Sequence, residues 1–438
     1  MSQQFEGDFS LKSIKLYPVV KTGGYGDAID IKELLAEVTL QESVLSASLY
    51  CSVVLQDIDQ NLIDSLPLMG QERIEIKISA GSTTWNLRFY VYSIDGRTMQ
   101  EKNQAYVLHC CSLEALTNES KRIAERLDGV KAEEFLEEKL SLISNKKFHK
   151  DSSLHNYNMY IPNWRLFDTA IWFRTRTVST AHKDSVGYLF WEAFDGYHFK
   201  SIDELIKQTP YPRVGKKYSF AQGNTPSAGD KFRIIKYASP KAFNVFNDAR
   251  AGSFAHDACY IDINHRTYRI FRTTADDFWD DSKHLGKLKP YRTDGPVSFN
   301  KGAGRMVYRP TAINTFGKWN ENQSIKKTDN IDEPNKMYEK AIYRFYFLEY
   351  NKLDIAVPGD LDIRAGNLID ISMPSPSKSD QGDIKSDSRL SGKYLVNSVT
   401  HTLNRDKLST RITLTRDSFG GKNIADEKAI GDQVDIGR

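Results

Sequence analysis

Gly70-Gln-Glu-Arg-Ile-Glu-Ile-Lys77, Trp85-Asn-Leu-Arg-Phe-Tyr-Val-Tyr92 and Tyr106-Val-Leu-His-Cys-Cys111 follow one another within one short stretch, and their reading decides the fold. Ile74, Ile76 and Ile78 alternate with Arg73, Glu75 and Lys77. Trp85, Leu87, Phe89 and Val91 alternate with Asn86, Arg88, Tyr90 and Tyr92. An apolar residue at every second position puts one face of a strand on a core and leaves the other for water or a partner. The stretch therefore reads as a three-stranded antiparallel meander.

A similar order returns near the C-terminus. Gly366-Asn-Leu-Ile-Asp-Ile-Ser-Met373 resembles Gly70 to Lys77, and Tyr394-Leu-Val-Asn-Ser-Val399 resembles Phe89-Tyr-Val-Tyr-Ser-Ile94. Ser93 to Val107 and Ser398 to Ile412 are each 14 residues, so the last two strands are expected to keep register between copies. The pattern predicts two copies of one small barrel in a single chain.

At 438 residues the chain has room for two to four domains and several cores. Its 60 basic and 57 acidic residues nearly cancel, which excludes the broad basic footprint of a nucleic-acid-coating protein. Cys51, Cys110, Cys111 and Cys259 lie in or beside apolar strand-like runs, without metal or disulfide spacings, and read as reduced core residues. Neither a signal peptide nor a membrane-spanning apolar stretch is expected.

Upstream of the meander, residues 10 to 20 read as an opening strand. Ala36 to Leu40 and Ala47 to Leu55 add two more, giving about six strands. The Gly23-Gly-Tyr-Gly26 cluster lacks phosphate-loop spacing and reads as a strand connection. Beyond residue 117 the period lengthens. Ala132, Phe135, Leu136, Leu140 and Ile143 share a helical face, and a second helix is expected from Asn163 as N-cap through Trp172. Tyr188-Leu-Phe-Trp-Glu192 and Tyr197-His-Phe-Lys200 then pair as a hairpin, with Ser201 capping a short helix. A helix is expected over Lys241 to Arg250, then a strand pair around Ala258 to Asp262 and Arg266 to Phe271. Residues 276 to 337 have no sustained period, and strands are expected to resume at Ala341 to Tyr350. Pro374 to Ser391 reads as a long exposed loop, and the stretch after Phe419 as a flexible tail. The expected divisions are residues 1–117, 118–215, 216–275, 276–338, 339–418 and 419–438. These are a first barrel, an α+β middle domain, the first part of a second barrel, an irregular insertion, the rest of that barrel, and the tail.

Chemistry-bearing clusters are few. Glu192 and Asp195 flank the hairpin tip and could act as an acid–base pair on a glycoside, but neighbours in a tight turn ordinarily point into solvent. Asp276, Asp277, Asp280, Asp281 and His284 lack a cation-loop spacing and read as a solvated acidic face. His109, His198, His265 and His401 share no repeated spacing. The expectation is no catalytic residue, no cofactor and no metal. Arg88, Tyr90 and Tyr92, on the outward face of the meander, are the candidate interface residues.

Three groups of residues resemble one family. Glu42-Ser43, Asp57 and Leu66-Pro-Leu-Met-Gly-Gln-Glu72 before Ile74-Glu-Ile76 look like the first barrel of the baseplate hub proteins of contractile-tailed phages. Gly187 to Glu192 with Gly196 to Asp203 is similar to their middle domain, as is Arg250-Ala-Gly-Ser-Phe254 with Ile261-Asp262 and Tyr268. The resemblance covers residues 10 to 420, most firmly 30 to 270. It implies a mainly β fold with α+β insertions: two tail-tube-type β-barrels in one chain, plus inserted helical domains. It also implies a structural homotrimer, forming a pseudo-sixfold ring in the virion tail baseplate after assembly in the host cytoplasm. Its implied partners are tail-tube or tube-initiator ring proteins, a central spike protein, baseplate wedge proteins and a tape measure protein, with DNA only in transit. The alternative is a tail-associated cell-wall hydrolase using Glu192 with Asp195 or Asp203. A hub with its own fused spike is not expected, since no repetitive β-helical segment follows the second barrel.

Overall fold

The computed structural model describes residues 9–58, 68–81, 83–100, 103–212, 216–220, 231–239, 244–262, 266–291, 296–299, 301–302, 304–311, 332–378, 384–387, 389–404 and 407–419. The first region holds β1 (Phe9–Tyr17), β2 (Ile29–Asp30), β3 (Leu35–Ser43), β4 (Tyr50–Ile58), β5 (Arg73–Ala80), β6 (Thr83–Gln100) and β7 (Asn103–Cys111). The alternation places Ile74, Ile76, Ile78, Phe89, Val91, Leu108 and Cys110 in one core with Ile14, Val38 and Val53. All four cysteines are buried thiols.

The middle region holds α1 (Leu113–Ser120), β8 (Ile123–Lys131), α2 (Ala132–Ser141), β9 (Phe148–Lys150), β10 (Asn156–Trp164), α3 (Leu166–Arg174), β11 (Tyr188–Ala193), β12 (Gly196–Ser201) and α4 (Ile202–Lys207). Phe135, Phe167, Phe173, Tyr188, Phe190 and Tyr197 form its own core. Asn163 is not the N-cap of α3. It sits in β10 at φ 56, where the ladder to β8 slips between Pro162 and Trp164, and Arg165 occupies the N-cap position without a side-chain capping bond. The local preference of Asn for a left-handed backbone is spent on a strand irregularity instead of a cap.

The remainder holds β13 (Tyr218–Ser219), β14 (Lys236–Ala238), α5 (Val245–Arg250), β15 (Ala255–Asp262), β16 (Thr267–Thr274), α6 (Ala275–Asp281), β17 (Arg305–Thr311) and α7 (Asp332–Leu348). After these come β18 (Asn351–Pro358), β19 (Leu368–Ser372), β20 (Pro374–Lys378), β21 (Ile384–Ser386), β22 (Gly392–Leu403) and β23 (Leu408–Arg416). Strands do not resume at Ala341. The aromatic run from Ala341 to Leu348 ends α7, whose Met337, Ala341, Arg344 and Leu348 recur at helical spacing and are all buried, as are Tyr343 and Phe347. Apolar residues on several faces of one helix hide its period from a strand-or-helix reading. The stretch expected to be irregular thus contains α6, β17 and the start of α7. Within the segment read as a loop, β20 pairs with β21. The tail after Phe419 lies outside the described residues.

A single 13-stranded sheet runs through both β regions in the order β14-β18-β23-β22-β3-β4-β7-β6-β5-β1-β2, with β19 against β22 and β13 beside β19. The repeat is visible in this order. In the first copy β4-β7-β6-β5 are neighbours, and in the second β18-β23-β22-β19 are, with the same chain order. Each copy carries a register slip at the matching place, Val91/Ser93 in one and Val396/Ser398 in the other. Backbone bonds repeat as well. Gln71 N–H donates to Val91 O at 2.7 Å and Val91 N–H to Glu72 O at 2.9 Å; Gly366 N–H donates to Val396 O and Val396 N–H to Asn367 O, both at 2.8 Å.

These ladders correct the sequence alignment by one residue on each side of the central strand. Gly366, at φ 85, matches Gln71, at φ 70, rather than Gly70, so aligning glycine on glycine misplaced the first strand. Ile94 pairs with Leu108 and Val399 with Ile412, which makes Leu108, not Val107, the match of Ile412. The first copy carries a second slip, between Asp95 and Thr98, that the second copy lacks, and this bulge supplies the extra residue.

Candidate assembly interface

The two copies are joined edge to edge inside the chain. The outer edge of β22 pairs antiparallel with β3, Thr402 opposite Thr39 and Leu403 opposite Val38. The repeat assigns equivalents to both partners. Thr98 and Met99 pair with Ala105 and Gln104 as Thr402 and Leu403 pair with Ser409 and Leu408, so the equivalent edge is the second half of β6. Val38 reaches the β4 residue Val53, and Tyr237 reaches the matching β18 residue Ile355, so β14 is the equivalent of β3. Among the described residues, neither of these edges has a strand partner: β14 ends the sheet, and β6 meets β5 only up to Tyr90. Among the described residues the chain therefore carries one filled edge-to-edge joint and, without strand partners, the equivalents of the two edges that form it.

Arg88, Tyr90 and Tyr92 lie on the outward face of β6. Arg88 contacts Glu75 Oε1 at 3.0 Å and Tyr90 packs 6.3 Å from Tyr25, itself beneath Arg73. Tyr92 is 49% exposed and forms an edge contact with Tyr50, which is exposed too. All three candidates share one surface, and it runs toward the open half of β6. Sequence reading missed β14 as the matching edge, because Lys236-Tyr237 shows nothing beyond a strand-like pair. A second exposed face lies on the β16-β15-β17 sheet, where Ile261, Tyr268, Ile270, Met306 and Tyr308 are presented to solvent by an isolated chain. Apolar area of this kind marks contact surfaces.

Buried carboxylates fix the angle between modules. Glu42, fully buried on β3, accepts from Phe194 N–H of the middle-domain hairpin at 3.1 Å and from Ala365 N–H before β19 at 2.5 Å. Burial pushes its carboxyl up to about 7, opposed by Arg364 and the two N–H groups. Glu192 is fully buried on β11, not solvated at the hairpin tip. It accepts from Leu49 N–H at 2.9 Å and Ser112 Oγ at 2.6 Å, and pairs with Lys146 Nζ at 2.5 Å. Burial raises its carboxyl and Lys146 opposes that. Asp195 is exposed and bonded to His198 Nε2 at 3.0 Å, and Asp203 is buried against Arg344 at 3.1 Å. Glu192 and Asp203 thus lie at joints between modules.

Arg344 on α7 holds Asp203 and, at 3.4 Å, Asp417, and donates to Lys283 O. Burial acts to raise both carboxyls, but Arg344 with Ser185 and Lys283 N–H at Asp203, and His284 with Arg344 at Asp417, hold them below the usual range. The acidic residues near α6 are likewise placed in ion pairs and caps: Asp276 with Lys289, Asp281 with Lys340, and Asp277 in a capping box with Thr274. His109 meets Asp95, His401 is buried beside Thr410, and His265 lies outside the described residues. No helix among the described residues is long and apolar enough to cross a membrane.

No family model and no curated relative matches the chain. Solved structures do. A tail protein from Neisseria meningitidis MC58 aligns over 92% of this chain and 96% of its own, at a TM-score of 0.52 and 11% identity. The fold is that of a tail protein. The 43 kDa tail protein of prophage MuSo2 from Shewanella oneidensis aligns over 93% of this chain and 99% of its own (TM-score 0.49, 10% identity). Prophage tail protein gp18 from Listeria monocytogenes EGD-e aligns over 95% and 97% (TM-score 0.43, 9% identity). The mostly β architecture with large antiparallel sheets agrees with the fold class read from the alternation.

Proposed function

We propose that the chain is a non-enzymatic baseplate hub of a contractile phage tail, three copies closing head to tail into a ring of six similar modules. Such a ring offers a sixfold-like face to the tail tube and a threefold face to a central spike, with wedge proteins and a tape measure protein as further partners, around a channel for DNA. The carrying observation is the unfilled joint. β14 and the second half of β6 are the equivalents of the two strands already paired within the chain, so β14 of one copy completes β6 of the next. The intrachain register transfers directly: Ala238 opposite Thr98 and Tyr237 opposite Met99. A heterologous contact of this kind closes into a ring when its rotation closes, and it removes both free edges.

The test is a Thr98→Cys, Ala238→Cys double variant oxidised at micromolar concentration, since all native cysteines are buried. Non-reducing electrophoresis should show a covalent trimer as the limiting species, and each single variant none. Absence of cross-linking, or an unlimited ladder of oligomers, overturns the ring.

A further inference from the structure

We propose that His149, His198 and Asp195 form a binding site for a divalent transition-metal ion, zinc first among them. Strands β9 and β12 are parallel neighbours in register, which sets His149 directly beside His198. Their rings stack with centroids 4.6 Å apart, and Trp191 stacks on the far side of His198. The turn that feeds β12 closes tightly on β9. Gly196, at φ 135, lies so close that a Cβ there would stand 2.4 Å from Lys147 O, and Tyr197 N–H donates to that oxygen at 2.8 Å. The backbone thus brings two imidazoles together, and the same turn carries Asp195 to His198 Nε2 at 3.0 Å.

Two observations point to a ligand. One ligand atom from each of the three residues lies within 4.8 Å of the others. In addition, His149 Nε2 is buried without a hydrogen-bond partner, an arrangement folded proteins rarely leave standing. Two imidazoles and a carboxylate suit zinc and its neighbours, and donors in a tetrahedral zinc site stand about 3.4 Å apart around bonds of about 2.1 Å. The His198–Asp195 pair, at 3.0 Å, is close to that spacing, and a ligand atom of His149 lies within 4.8 Å of both. Asp195 is exposed, so an ion can enter from solvent, with water as the remaining ligand. Bound there, it clips β9 to the hairpin that carries Glu192.

Titration calorimetry of the full-length protein with zinc chloride, paired with visible absorption on adding cobalt(II), tests this. The expected result is one equivalent bound, with cobalt bands of low-coordinate nitrogen–oxygen ligation. Both signals should weaken by at least about tenfold in His149→Gln, His198→Gln and Asp195→Asn. No heat and no bands in the wild type overturns the site, as does unchanged binding in the variants. If a histidine variant loses its near-ultraviolet circular dichroism, Asp195→Asn on the exposed turn decides alone.

Discussion

Replacing Glu192 by Gln separates a joint from a catalyst. The wild-type carboxylate is fully buried and accepts from Leu49 N–H, Ser112 Oγ and Lys146 Nζ, which ties the middle region to the first sheet. A neutral amide keeps one acceptor oxygen and turns an NH2 toward groups that also donate. Each charge-assisted bond lost costs about 1.5–3 kcal/mol. Lys146 keeps Glu114 at 2.8 Å and is partly exposed, so its loss is at the lower end. The sum is about 3 kcal/mol, within the range for removing one member of a buried pair. Spread over unfolding of the whole chain, at about 2 cal/mol/K per residue, this lowers Tm by roughly 3 °C. Differential scanning calorimetry reads it, with Asp184→Asn on an exposed turn as the control expected to leave Tm in place. A Glu192→Gln protein with unchanged Tm would refute the clamp, and wall-degrading activity lost with the fold intact would restore the hydrolase reading.

Glu42 gives a pH signature. Its folded pKa of about 7 lies above the unfolded carboxylate value, so its contribution to stability is fully present below about pH 4.5 and is lost as pH rises through about 7, a loss of ~3 kcal/mol; urea midpoints of Glu42→Gln against wild type should converge at the low end of that window and separate in the variant's favour at the high end, and parallel pH profiles would refute it. Arg344→Met leaves Asp203 and Asp417 buried without their shared cation and should cost about 3–5 kcal/mol in urea unfolding, with the deficit shrinking at acid pH as the two carboxyls protonate; a loss under about 1 kcal/mol would show that the remaining hydrogen bonds suffice.

The legible part of the fold was the part with a single face to bury. Ile74, Ile76 and Ile78 alternate because β5 has one buried side, and the repeat of Phe89 to Ile94 in Tyr394 to Val399 survived at matching positions because the same slip in the ladder recurs there. What stayed hidden needed long-range information. Helix α7 is apolar on several sides because it lies among different cores, with Tyr343 and Phe347 in one and Met337 and Ala341 in another, so no single stripe betrays its period. The role of Glu192 was invisible for a related reason. A carboxylate beside a turn reads as solvated unless Lys146 and Leu49 are known to surround it, and Leu49 is 143 residues away. The histidine pair could have been found: Phe148-His-Lys150 and Tyr197-His-Phe-Lys200 each place histidine within a short apolar strand, but only the parallel pairing of β9 with β12 makes the two adjacent.

In the proposed ring the geometry of assembly would rest on two separate devices. Free strand edges would decide which surfaces meet, since among the described residues the second half of β6 and the outer edge of β14 have no strand partner, and a sheet protein ordinarily covers such edges. They do not decide the angle at which modules meet, because a sheet twists by a variable amount per strand. That angle inside the chain is held by side chains. Glu42 bonds the hairpin at Phe194 and the second copy at Ala365 from the very strand, β3, that forms the intrachain joint. The strand equivalent to β3 in the second copy, β14, is three exposed residues. Rotation at the inner joint is therefore held within the chain, whereas at the outer joint of the proposed ring it would be set when a second copy docks. In the ring proposed above, three joints held by buried side chains would keep the modules evenly spaced while three joints formed on docking would set closure, the division of labour that an even sixfold face made from threefold parts requires.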